Sequence, residues 1–132
     1  MDIHLRDMRD EDTSLVFNSW LKSYRSQTEG RAMTNTTFYE GHTKVIDKIL
    51  GSAAVKLAVD PEDTNEVYGF ICYQGDILHY AYTKHRYRGL GILSYLLESV
   101  GGRSKFTTVT HLPRNWGEVS RKYNIIFNPY RR

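Results

Sequence analysis

Arg86, Arg88, Gly89 and Gly91 fall within one six-residue stretch, Arg86-Tyr87-Arg88-Gly89-Leu90-Gly91. Guanidinium groups bring fixed positive charge and paired donors, which suit phosphate oxygens. Glycine lacks the Cβ that would hold an anion away from main-chain amides. The flanking residues complete the arrangement: His79 to Thr83 have strand character, and Leu93, Leu96, Leu97 and Val100 recur at helical spacing. A helix opening at Gly89 points its unpaired first amides, and the positive end of its dipole, at the same place. The stretch reads as a holder for a pyrophosphate.

The elements that must position it can be taken in chain order. Ile3–Met8 alternates apolar and polar side chains and predicts a first strand. Asp10-Glu11-Asp12-Thr13 opens a helix with Phe17, Trp20, Leu21 and Tyr24 on one stripe. Ser26–Thr36 is polar, contains Gly30, and reads as a loop. Thr37-x-x-Glu40 has the spacing of a capping box for a second helix with Phe38, His42, Val45 and Ile49 on its face, ended by Gly51. Three strands follow, Ala54–Val59, Val67–Tyr73 and Ile77–Thr83, joined by turns at Pro61–Asn65 and Gln74–Asp76. After the glycine-bearing stretch and its helix, Phe106–Leu112 predicts a strand, Asn115-x-x-Glu118 a short helix, and Ile125–Phe127 a last strand.

Arg86-Tyr87-Arg88-Gly89-Leu90-Gly91 resembles the Arg/Gln-x-x-Gly-x-Gly/Ala loop of the GNAT family, the Gcn5-related N-acetyltransferases. The order of elements on both sides is similar to that family's. The resemblance implies an α/β (α+β) fold: a mixed, mostly antiparallel sheet flanked by about four helices and splayed between its fourth and fifth strands. It implies acetyl-coenzyme A as co-substrate and a small-molecule or protein amine as acceptor. Main-chain groups from Arg86 through Tyr87, Arg88, Gly89, Leu90, Gly91 and Ile92 would hold the pyrophosphate, with Ala81, Tyr82 and Thr83 along the pantetheine arm. Tyr123 matches the family's proton donor, although Asn115 lies one residue farther from it than in many members and no Gly-Phe follows. For the base, the resemblance offers Asp76, His79 or His111, or none, with water taking the proton. The first helix and the Ser26–Thr36 loop would shape the acceptor pocket. Asn18–Tyr24, Val67-Tyr68-Gly69, Leu78-His79-Tyr80 and Asn128-Pro129-Tyr130 are also similar to short GNAT-like proteins of phages and prophages, which implies a viral or prophage source.

Composition sets outer limits. A chain of 132 residues suits a single domain over residues 1–132. No apolar run approaches the roughly 20 residues that cross a bilayer, and the N-terminus lacks the order of a secretory signal. The single cysteine, Cys72, excludes an internal disulfide and a cysteine-rich zinc site, and no His/Cys/carboxylate spacing suggests a metal. These features point to the cytoplasm, the host's if the source is viral. The net charge of +3 is uneven: residues 1–83 carry 8 Lys/Arg against 13 Asp/Glu, residues 84–132 carry 10 against 2. A basic C-terminal half suits coenzyme A and would also suit nucleic acid or a host protein in a non-catalytic binding module. Oligomeric state, a dimer included, is left open.

Overall fold

Six strands form one sheet in sequence order: β1 (His4–Asp7), β2 (Ala54–Val59), β3 (Val67–Gln74), β4 (Ile77–Thr83), β5 (Thr108–Val109) and β6 (Ile126–Phe127). The β1–β2, β2–β3 and β3–β4 pairings are antiparallel; β4–β5 and β5–β6 are parallel. The computed structural model describes residues 1–132, apart from the side chains at positions 28 and 29. Five helices accompany the sheet: α1 (Thr13–Arg25), α2 (Thr28–Ala32), α3 (Asn35–Leu50), α4 (Ile92–Ser99) and α5 (Trp116–Lys122).

Strand alternation divides the core between the two faces of the sheet. Val55, Leu57 and Val59 of β2 pack with Val16, Trp20 and Tyr24 of α1 and Phe38, Ile46 and Ile49 of α3. On the other face Ala58, Tyr68 and Ile71 meet Ile92, Leu96 and Leu97 of α4, with Phe106 closing the cluster. Each such fully buried aliphatic side chain contributes roughly 1.5–3 kcal/mol. β3 is buried on both faces from Val67 to Cys72, which is why it reads as an unbroken apolar run. Burial pushes the Cys72 thiol up to about 12, so it packs as a small hydrophobe.

A buried ion pair fixes the entrance to α1. Arg6 on β1 donates to both Asp12 carboxylate oxygens, at 2.7 and 2.9 Å, and its Nε donates to the Thr64 carbonyl at 3.0 Å. Asp12 also accepts the Arg9 amide at 2.8 Å. The acids expected at a helix start therefore serve a strand–helix–hairpin junction, and the Arg6 hydrogen bond holds the Asp12 carboxyl below its ordinary range.

Four sequence expectations need correction. Ser26–Thr36 is not a loop throughout: it contains α2, a helix beyond those read from the sequence, and the start of α3. Thr34 caps α3, its hydroxyl accepting the Thr37 amide at 3.2 Å; the run Thr34-Asn35-Thr36-Thr37 offers competing caps, and the one with extended backbone prevails. The helix after the glycines opens at Ile92, because Gly89 and Gly91 both have left-handed backbone. The strand expected over Phe106–Leu112 is only Thr108–Val109. Phe106 ends a 3-10 turn over Arg103–Lys105, while Ser23 and Gln27 near the end of α1 engage His111 and the Leu112 carbonyl.

Candidate functional site

β4 delivers the chain into a 3-10 turn, His85–Tyr87, and then to Gly89 and Gly91, whose φ angles are +80° and +79°. Other L residues rarely occupy that region, so both positions demand glycine. A Cβ added at either would meet nothing within 4 Å, so the space in front of the loop is open. Tyr87 and Arg88 use their amides within the turn, on Lys84 O at 2.9 Å and His85 O at 3.2 Å. The amides of Gly89, Leu90 and Gly91 have no protein acceptor among the described residues. Gly91 caps α4, whose first amides also lack intrahelical partners. A cleft of about 130 Å³ lies here, lined by Thr83, Arg88, Gly89, Gly91, Ile92 and Ser94. These free amides run from Gly89 into α4. They suit an anion with several oxygens, such as a diphosphate.

The two arginines of the loop differ. Arg88 is exposed, and its Nε donates to the Thr83 carbonyl at 3.2 Å. Arg86 is turned to Glu66, with Nη2 2.6 Å from Oε1. The same oxygen accepts the Tyr87 hydroxyl at 2.8 Å.

Ala81, Tyr82 and Thr83 lie on β4 beyond its last ladder pair with β5, Leu78↔Val109. Their edge away from β3 is free of strand pairing among the described residues, as a bound chain of amides would require. Where the two strands part, the β3–β4 register steps from Cys72↔Tyr80 to Tyr73↔Leu78, making His79 the extra residue of a bulge. His79 is 1% exposed; its Nδ1 is 2.7 Å from the Thr110 hydroxyl, and its Nε2 has no partner among the described residues. His111 is also buried, with Nε2 2.7 Å from the Ser23 hydroxyl and its ring against Tyr24 and Tyr80. Burial, reinforced by nearby arginines, lowers both histidines to about 4. Each is neutral at pH 7, and each is a weak base.

Asp76 stands at the opposite end of β4 from the glycines. Thr107 and Arg131 engage its carboxylate, Arg131 Nη2 at 3.2 Å, and hold its pKa below the ordinary range. A seven-residue strand spans about 23 Å, so Asp76 is remote from the cradle. Tyr123 ends α5, with the Arg103 guanidinium 5.3 Å from its ring and the Lys122 ammonium 5.6 Å away. Arg103 in turn donates to Ser94, a cleft residue, at 3.0 Å. The structure thus gathers the glycines, Arg88 and β4's free edge, links Tyr123 to them through Arg103, and sets Asp76 apart. Glu66, Ser23 and Thr110 carried no sequence signal, because their partners lie 20, 88 and 31 residues away.

A second groove of about 430 Å³ runs along α1, with Asn18, Leu21, Lys22, Arg25 and Ser26 on one side and Tyr39 on the other. Among the described residues, no helix is long and apolar enough to cross a membrane and no cluster of His, Cys, Asp and Glu is placed to hold a metal.

No family model matches the chain, and no curated protein matches it by sequence. Solved structures do match. A candidate acetyl transferase from Pyrococcus furiosus superposes with a TM-score of 0.62 at 19% identity, covering 92% of this chain and 93% of that one. The apo form of YjaB from Escherichia coli gives 0.52 at 20% identity over 75% of this chain. A GCN5-related N-acetyltransferase from Rhodopseudomonas palustris gives 0.51 at 16% identity over 76%. The chain spans 64% of each of the latter two, less than two thirds of their length. At these identities the likeness establishes the fold, which is the GNAT fold: a mixed, mostly antiparallel sheet with its helices.

Proposed function

We propose that this chain is an acyl-coenzyme A-dependent N-acyltransferase, acting as one domain over residues 1–132, with acetyl as the acyl group and an amine as acceptor. The observation that carries the reading is the run of amides at Gly89–Gly91 without a protein acceptor among the described residues, continued by the first turn of α4 and bordering a cleft. Those amides and Arg88 hold the diphosphate, and the edge of Ala81, Tyr82 and Thr83 that β5 does not pair lines up the pantetheine arm. When bound, acetyl-coenzyme A supplies an acyl group activated as a thioester. Positioning by the chain provides most of the acceleration, since fixing two reactants can supply roughly 7–11 kcal/mol. Tyr123 is the proton donor from its hydroxyl. His79 and His111 are too weakly basic, and Asp76 too remote, to take the amine's proton, so water carries it away. The groove along α1 admits the acceptor. Asn18–Tyr24 and Asn128–Tyr130 support a short phage- or prophage-type protein acting in the host cytoplasm.

Thermal unfolding with acetyl-coenzyme A tests the premise. A ligand at 100 times its dissociation constant stabilises by about 2.7 kcal/mol. The reading fails if acetyl-, propionyl- and free coenzyme A all leave the midpoint unmoved. An acceptor screen scored by released thiol then identifies the amine.

A further inference from the structure

Glu66 ends the connection between β2 and β3, and its carboxylate meets the turn that leads to the glycines. Oε1 accepts Arg86 Nη2 at 2.6 Å and the Tyr87 hydroxyl at 2.8 Å, with Lys84 Nζ at 3.8 Å. The Arg86 guanidinium also lies 4.9 Å from the centre of the Tyr87 ring, so its orientation is fixed twice. Two donors, from positions 86 and 87, and the Lys84 ammonium therefore converge on one oxygen borne by another part of the sheet. The acid gains from this: the Tyr87 and Arg86 bonds hold its pKa below the ordinary range. Arg88 makes no ion pair among the described residues.

We propose that Glu66 is a positioning residue for the coenzyme-binding loop: it fastens the turn at residues 84–87 to the β2–β3 connection and withdraws Arg86 from the diphosphate, leaving Arg88 as the facing cation. The arginine that a motif reading would set against phosphate is thus a structural tether. Its charge is neutralised before any ligand arrives. The second half of this inference rests on the coenzyme reading above; the first half does not.

Exchanging the two charges separates the roles. Glu66→Arg, Arg86→Glu and the double variant are compared with wild type by titration with coenzyme A. Hydrogen exchange at the Tyr87 and Arg88 amides is followed without coenzyme. Each single variant is expected to speed that exchange and weaken coenzyme binding about three- to fivefold, the scale of one exposed ion pair. The exchanged pair is expected to restore both in part, since the ion pair between positions 66 and 86 is remade with opposite polarity while the Tyr87 hydroxyl and Lys84 lose their acceptor. Restored exchange with binding still as weak as in Arg86→Glu would show that Arg86 itself touches phosphate, overturning the withdrawal. Single variants that change neither measurement, or a double variant that rescues neither, would overturn the tether. If wild type binds no coenzyme A, the proposed function falls, and the exchange rates alone still decide whether Glu66 positions the loop.

Discussion

Nδ1 of His79 lies 2.7 Å from the hydroxyl of Thr110, one step beyond the Leu78↔Val109 pair that ends the β4–β5 ladder. A side-chain bond thus continues the join where the backbone ladder stops. The neutral imidazole fits this place: its other nitrogen is buried, and a second proton would add a desolvated charge.

Stability should therefore depend on pH in a defined window. His79 and His111 are lowered to about 4, against an unfolded value near 6.5. Between those values the unfolded chain binds more protons, so stability is full above about 6.5 and falls as pH drops towards 4. The loss is up to about 3 kcal/mol per histidine. Urea midpoints at pH 7.5 and 5.0 measure it, and His79→Gln with His111→Gln should flatten the difference. Equal midpoints in the unmodified protein would contradict the burial described.

Gly89→Ala and Gly91→Ala should each cost about 1–2 kcal/mol in the free protein, because alanine is disfavoured at left-handed φ. They should also abolish most of the coenzyme-induced rise in melting temperature, as the left-handed turn that carries the free amides is lost or strained. A substitution that left the rise intact would move the diphosphate elsewhere.

Asp12→Ala leaves Arg6 buried without its carboxylate, and such orphaned charges cost about 3–5 kcal/mol. Replacing both by apolar residues of similar volume should be much milder. Chemical denaturation of the two variants distinguishes a pair needed for its charge from one needed only to be complete.

Tyr123→Phe removes the hydroxyl while keeping the ring between Arg103 and Lys122. Once an acceptor is in hand, kcat should fall by about 10²-fold or more with KM little changed, the mark of a proton donor. An unaltered kcat would leave Tyr123 as packing alone.

Ala54–Val59 and Ile77–Thr83 could be read from the sequence to their observed bounds because strong turn residues flank both, and β2's alternation is regular. The apolar stripe of α4 and the glycines before it were equally plain, since their demands are local. β5 was overestimated: its β-branched residues report propensity, whereas beyond Val109 the chain is engaged by Ser23 and Gln27, from α1 and just after it, at His111 and the Leu112 carbonyl. Glu66 was invisible for the same kind of reason. An acid before a strand looks like a solvated turn until the fold brings Arg86 and Tyr87 to it. The protonation of the two histidines was not legible either, because imidazole pKa follows burial, which sequence spacing does not specify.

The placement of the two tryptophans gives the chain a built-in pair of optical reporters. Trp20 is wholly enclosed, stacked between Tyr24 and Tyr80, whereas Trp116 is half-buried on α5 with its ring centre 6.4 Å from that of Phe127. Blue-edge emission will follow the interior and red-edge emission the α5–β6 region. Fraying of the C-terminal layer before global melting would separate the two signals without any attached dye.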